Sequence, residues 1–445
     1  MTLGDDFNNV LPNGNNNNNG KVPVGKIALA ICLQLEKRNS FAYIENELRY
    51  YKDGWYQPGG EEYVQRILQN SIPDISQAHL NETIAKLSQR NYRKIDECDS
   101  DDSILNTENG YVDMDKMKLL PHNPDYLSIV QFPAKFVKKP KSKKIRKLLD
   151  ETLDKKELHK FTLMLGDLLY FKGQKQTIFF LVGSGHNRKG TLTRLLQDFV
   201  GAELCSNLSL EELADRNFAV VNLHGKILNV AGDESPNAPE NWHVIRRITG
   251  ADTLSGEMKG VQKRLSFRNR AIVICVYNKL PQIDEDYSTW RRIQLIRFKR
   301  NFEENDDGKG GEFEAKLRTS ECMSELLWLA LKGRQMYLKN GGHEKEDLES
   351  IKEEYKKMQD HVIAFIAECY EKKSDGYTNS ETVYNDYLDY CKRNNHTPLA
   401  KRELGEKLAG NGIPNRKRGT GTKRPHCYIG IVPKTGGFFE DGTDG

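Results

Sequence analysis

The sequence predicts an α/β protein: a parallel sheet carrying a phosphate-binding turn, with an α+β domain and helical collar before it and a winged-helix-like module after it. Three observations predict this. Apolar strand candidates recur at Ile178–Val182, Lys226–Ala231 and Ala271–Tyr277 with helical stretches between them, the alternation of a parallel sheet covered on both faces. The run from Thr177 to Thr191 reads as an apolar strand, a glycine-rich turn with one lysine, and a helix start. Near the C-terminus, helix candidates at His361–Lys372, Asn379–Lys392 and Ala400–Ala409 precede a cationic turn and the strand Cys427–Val432.

The elements follow in chain order. At 445 residues the chain exceeds one core and suggests two to four domains. Residues 1–25, with the tract Asn15–Asn19, are polar and of low complexity, a composition that predicts a disordered leader. Residues 26–137 read as a small accessory domain: a helix at Ile27–Leu35, a hairpin at Phe41–Tyr56, a helix at Glu61–Asn70, then short strands between turns. Residues 138–175 hold a basic linker and, over Ile145–Tyr170, leucines at helical spacing that predict a collar. The core spans 176–304, and a helical segment, Glu312–Gly341 with Glu344–Gln359, fills 305–358. The last module covers 359–433, and 434–445 read as a disordered tail.

Composition excludes several classes. With 37% hydrophobic and 29% charged residues the chain is of soluble globular type, and no apolar run approaches the roughly 20 residues that span a bilayer. The acidic start lacks a signal-peptide core, so a cytoplasmic protein without membrane partners is expected. The eight cysteines stand singly, which indicates neither a zinc ribbon nor a disulfide framework. A net charge of +4 is small, but cations cluster in Lys138–Lys147 and in Arg416, Lys417, Arg418, Lys423 and Arg424. Such clusters are the footprint of phosphate-backbone binding, while a solvated linker or loop is the plain alternative. For Lys138–Lys147 the two readings stand level; at the second cluster the cations sit on a hairpin tip, which favours DNA contact.

The turn comprises Gly183, Ser184, Gly185, His186, Asn187, Arg188, Lys189, Gly190 and Thr191. Its backbone N–H groups and the following helix end suit the phosphates of a nucleoside triphosphate, with Lys189 as a mobile point charge. It departs from Gly-x4-Gly-Lys-Ser/Thr: Arg188 replaces the second glycine, and Gly190 replaces the hydroxyl residue, which arrives one place late as Thr191. Thr191 could reach phosphate or magnesium. If Arg188 must take φ > 0, a non-glycine there costs about 1–2 kcal/mol.

The strand Ile227–Ala231 leads to Asp233 and Glu234. Beside a phosphate loop, Asp233 would hold the magnesium shell and Glu234 would orient or deprotonate the attacking water; a helix cap or surface acid is the ordinary alternative. Asn278 ends the strand Ala271–Tyr277, where it would position water near the γ-phosphate or act as a turn residue. Arg291 and Arg292 follow Trp290, and an arginine here could reach a neighbouring subunit's nucleotide and neutralise developing charge.

Together Gly183–Thr191, Asp233 and Glu234, Ile248 through Lys259, Asn278 with Leu280 and Pro281, and Trp290–Arg292 with Phe298 resemble the ordered motifs of superfamily 3 helicases. More narrowly they resemble the helicase part of phage, plasmid and poxvirus primase-helicases. The likeness extends upstream to Asn109–Asp113 and downstream through Trp328–Gly333 to the winged-helix-like end, most of the chain after the asparagine tract. It implies an AAA+-type core that uses ATP and Mg2+ and assembles as a ring, usually a hexamer, on single-stranded and double-stranded DNA. It also implies a pore hairpin at Gly256–Arg264 with Lys259 and Lys263 as phosphate contacts, Arg292 as the finger with Arg291 second, and 3′ to 5′ movement. An ordinary exposed hairpin is the alternative for Lys259 and Lys263. Relatives often carry a primase ahead of the helicase, for which residues 1–130 leave no room, so a primase or polymerase module is expected as a partner or on a longer chain. Two rivals remain: an origin-binding protein that binds ATP and hydrolyses it weakly or not at all, and a nucleotide kinase, which shares Lys-Gly-Thr but usually places its loop near the N-terminus.

Overall fold

The computed structural model describes residues 23–170, 177–183, 186–215, 219–232, 242–250, 252–257, 264–278, 280–281, 283, 287–300, 302, 311–344, 348–393, 397–418 and 424–434. The accessory domain opens with α1 (Val24–Arg38), followed by the antiparallel strands β1 (Phe41–Ile44), β2 (Glu47–Lys52) and β3 (Trp55–Gln57). Next come α2 (Gly60–Ser71) and α3 (Gln77–Arg90). Ile31 and Leu35, Leu48, Val64 and Leu68, and Leu80 and Leu87 close one apolar core between these elements. A second antiparallel sheet follows, β4 (Ile104–Thr107), β5 (Gly110–Asp113) and β6 (Lys118–Leu120), and its Leu105 and Val112 share an apolar cluster with Phe161, Phe179 and Leu196 further along the chain. The stretch Asn109–Asp113 thus forms a turn and strand, with the Asn109 side-chain oxygen accepting from Phe136 N at 2.8 Å.

The collar comprises two helices, α4 (Lys144–Thr152) and α5 (Lys155–Leu168). Asp154 breaks the run because its carboxylate caps α5, accepting from the backbone of Lys156 and Glu157. The free amides at the start of α4 are answered from far along the chain: buried Glu325 accepts from Ile145 N at 3.1 Å and Arg146 N at 2.9 Å.

The core contains β7 (Ile178–Val182), α6 (Lys189–Val200), β8 (Cys205–Ser206), α7 (Leu210–Asp215), β9 (Leu228–Ala231) and α8 (Trp242–Ile248). The antiparallel pair β10 (Thr253–Glu257) and β11 (Arg264–Arg268) follows, then β12 (Ile272–Tyr277), α9 (Tyr287–Trp290) and β13 (Ile293–Arg297). Five strands form one parallel sheet in the order β13-β7-β12-β9-β8. Every residue of β7 and β12 is buried, as expected of strands covered on both faces. This is an α/β fold built on one parallel sheet.

Two helices after the core, α10 (Glu312–Leu317) and α11 (Ser320–Asn340), replace the single helix expected over Glu312–Gly341. The Thr319 hydroxyl caps the second, accepting from Cys322 N. Helix α11 crosses α5 where Gly166 meets Gly333; a β-carbon on Gly333 would stand 2.1 Å from the Thr162 carbonyl oxygen. Buried Glu157 of α5 accepts from Arg297 N at 3.0 Å and Nε at 2.9 Å, and Lys160 donates to the Leu295 carbonyl at 2.9 Å. These bonds fasten the collar to β13.

The chain then runs through α12 (Leu348–Gln359) into α13 (His361–Cys369), β14 (Tyr370–Asn379), α14 (Ser380–Arg393), α15 (Lys401–Gly410), β15 (Asn415–Lys417) and β16 (His426–Pro433). Three helices on a sheet ordered β14-β16-β15 make a winged-helix-like module. The helix expected over His361–Lys372 ends at Cys369, because Tyr370, Glu371 and Lys372 pair with Pro433, Val432 and Ile431 of β16.

Candidate nucleotide-binding site

The site is built at the carboxyl end of the sheet, where β7 stands between β12 and β13, strands that follow it by about a hundred residues. Ligands of open parallel sheets bind at such crossing points. The frame is tight at Gly183: a β-carbon there would lie 2.5 Å from the Phe298 carbonyl oxygen and 2.4 Å from the Asn187 amide nitrogen. Val182 also accepts from Phe298 N at 2.8 Å, and His186 from Phe302 N at 2.7 Å, so the chain beyond β13 borders the turn.

Within the turn His186 and Arg188 both take left-handed conformations, φ 57° and 62°, on either side of buried Asn187. Alternation of this kind gathers successive N–H groups into an anion-binding concavity, and α6 begins at once with Lys189. The Lys189 ammonium donates to the Gly183 carbonyl at 2.6 Å, to Asn187 Oδ1 at 3.0 Å and to Asn278 Oδ1 at 3.2 Å. Asn278 arrives there because β12 pairs with β7 up to Tyr277 and Val182. The sequence-predicted lysine and asparagine therefore meet.

The departures from the usual pattern have physical accounts. Arg188 does adopt the left-handed backbone, at a cost of about 1–2 kcal/mol. Its buried guanidinium pairs with Glu151 Oε2 at 3.1 Å and lies 3.6 Å from the Phe302 ring centroid and 4.6 Å from that of Phe313. A desolvated cation–π contact contributes about 2 kcal/mol, enough to offset the strain. Gly190 leaves room for Arg194, whose nearest guanidinium nitrogen would lie 3.0 Å from a β-carbon at that position. The Thr191 hydroxyl donates to Glu314 Oε1 at 3.1 Å, and Glu314 is also bound by Arg194, whose guanidinium holds its carboxyl below the usual carboxylate range.

Arg291 and Arg292 lie at the other end of the sheet. Ile293 pairs with Ile178 and Arg297 with Val182, so the five residues of β13, roughly 16 Å, separate Arg292 from the turn of its own chain. Arg291 is exposed, and Arg292 Nη1 donates to the Ser288 carbonyl. In the winged-helix-like module Arg416 and Lys417 on β15 and Arg418 and Arg424 beyond it are exposed, with Arg418 4.5 Å from the Tyr377 ring centroid. Ser184, Gly185, Asp233, Glu234, Lys259, Lys263 and Lys423 lie outside the described residues. Strands β10 and β11 pair antiparallel from Thr253 with Arg268 to Glu257 with Arg264, and residues 258–263 of the expected hairpin lie outside the described residues.

Sequence reasoning missed Glu151, Phe302, Phe313 and Glu314. None belongs to a spaced motif; only the acids around Phe313, just after a glycine-rich break, hinted at a helix start. Among the described residues no group of three or more His, Cys, Asp or Glu side chains could hold a metal ion, and no helix is long and apolar enough to cross a membrane. The donors present fit a phosphate: left-handed turn amides, a helix start, and a lysine already at the mouth. When bound, a nucleoside triphosphate would supply a hydrolysable phosphoanhydride.

Comparisons with known proteins match successive parts of the chain. The family model "D5 N terminal like" matches residues 24–154, a family of unknown function, DUF5906, matches 181–292, and "Poxvirus D5 protein-like" matches 357–431. Similar solved structures include two apo forms of the NrS-1 C-terminal region, each 13% identical with a TM-score of 0.45. They cover 90% and 89% of this chain and 98% and 97% of those chains. No curated protein matches. On both flanks of the segment that matches the family of unknown function, this chain is thus similar to D5-like proteins.

Proposed function

We propose that this protein is an ATP-dependent, ring-forming DNA helicase that replicates a plasmid, virus or other mobile element. The observation that carries the reading is the convergence of Lys189 and Asn278 at the carboxyl end of β7 and β12, with Arg291 and Arg292 at the opposite end of the sheet. In this reading the turn amides and Lys189 hold the phosphates, and Asn278 orients water. Asp233 holds magnesium with Thr191, Glu234 activates water, and Arg292 or Arg291 serves a neighbouring subunit's site, which a hexameric ring would supply. Lys259 and Lys263 would grip single-stranded DNA, and Arg416, Lys417, Arg418, Lys423 and Arg424 the duplex, both through phosphates.

Unwinding of forked DNA, measured with steady-state ATPase in the presence and absence of single-stranded DNA, tests it. DNA-stimulated hydrolysis and strand separation are expected, with both lost in Lys189→Ala. ATP binding without stimulated turnover would favour the origin-binding alternative instead.

A further inference from the structure

We propose that Glu151 of the collar is a positioning residue for the phosphate loop, acting through Arg188 and tying the nucleotide site to the collar. The proposal rests on reading the loop as a nucleotide site. The loop residue in question stands where the common pattern has glycine, and its backbone is left-handed. That conformation costs an arginine about 1–2 kcal/mol, and among the described residues Glu151, Phe302 and Phe313 hold its side chain in place. Only 5% of the Arg188 side chain is exposed, so its charge needs a partner, and Glu151 supplies a carboxylate at 3.1 Å.

Glu151 is itself held. It lies in the last turn of α4, and its carbonyl accepts from Arg300 Nη1 at 2.9 Å. The first turn of the same helix is bound by Glu325 of α11. One short helix is therefore fixed at one end to the segment after the core and at the other to the residue before Lys189. A shift of α4 would pull on Arg188 and displace the amides on either side of it. Glycine at this position would leave the loop without this link.

The test uses the full chain, with two readouts: titration with a fluorescent ATP analogue, and amide hydrogen exchange of loop peptides without nucleotide. Glu151→Gln is expected to weaken analogue binding about tenfold, the scale of losing a charge-assisted hydrogen bond. It should also speed exchange in the peptide spanning 183–190 while leaving 155–168 unchanged. Arg188→Lys should do the same, because an ammonium cannot replace the planar stack between two rings. In an Arg188→Gly background, adding Glu151→Gln should cause no further change in either readout. Wild-type binding and exchange in Glu151→Gln would overturn the proposal, as would an equal loss in the Arg188→Gly background. If the wild-type chain does not bind the analogue, the nucleotide reading fails, and the exchange comparison still decides whether Glu151 positions the loop.

Discussion

The Lys189 ammonium and the Asn278 amide oxygen lie 3.2 Å apart, joining a helix start to a strand end across 89 residues of chain. The contact predicts a separation of kinetic effects. Asn278→Ala should lower kcat for ATP roughly 10²-fold, the scale of losing one well-placed polar group, with a smaller change in KM. Asn278→Asp should raise KM instead, since a carboxylate would neutralise Lys189 and repel phosphates. Wild-type kcat and KM in both variants would remove Asn278 from the site.

Glu157 and Arg297 form a buried pair in which the carboxylate also accepts a backbone N–H. Glu157→Gln leaves the guanidinium buried with half its partner, which costs about 3 kcal/mol or more. In urea titration the midpoint should fall while the slope stays constant. A loss below about 1 kcal/mol would show that water reaches Arg297.

At the crossing of α5 and α11, helix propensity and packing oppose each other. Alanine favours a helix over glycine by about 1 kcal/mol, yet a methyl on Gly333 would strike the Thr162 carbonyl at 2.1 Å. Overpacking should win, so Gly333→Ala is expected to destabilise by about 1–3 kcal/mol. Gly410→Ala, where nothing lies within 4 Å, should be neutral or slightly stabilising. Thermal unfolding of both variants checks the pair.

Arg194 depresses the pKa of Glu314 below its ordinary value near 4.5. A carboxylate with a lower pKa folded than unfolded contributes stability that is whole above about pH 4.5 and lost as the pH falls through the depressed value. The pair is partly exposed, so the contribution is about 1 kcal/mol or less. Stability measured from pH 6 down to pH 3 should therefore fall less steeply in Glu314→Gln than in wild type. Parallel curves would show that the pair adds nothing.

The distance from Arg292 to its own chain's turn predicts complementation between subunits. Mixing Arg292→Ala with Glu234→Gln chains should restore part of the ATPase that each lacks alone, because some interfaces then combine two intact halves. No gain on mixing would argue for a site complete in one chain.

Much of the site was legible because it is local: Gly183–Thr191 and the strand ending at Asn278 are continuous runs whose apolar pattern fixes where each chemical group emerges. The missed helix α3 was also readable, since Leu80, Ile84 and Leu87 share one face after the capping Ser76. Strand β14 was not, because Glu371 and Lys372 are exposed and only their pairing with Val432 and Ile431 of β16 makes them extended. Glu151, Glu157, Glu314 and Glu325 lay beyond sequence reasoning for another reason. Each answers a donor 37 to 180 residues away, and a lone acid on a helix reads as surface until the fold places its partner.

The strand order also sets a timetable. Strand β7 sits between β12 and β13, so neither neighbour exists until residues 272 to 297 have been made. Until then Ile178–Val182 is an unpaired apolar segment with two open edges, the kind that seeks partners in other chains. A ribosome-bound chain halted before Arg297 should lack a phosphate loop and tend to aggregate. On the growing chain, nucleotide binding would thus report that the whole core has emerged.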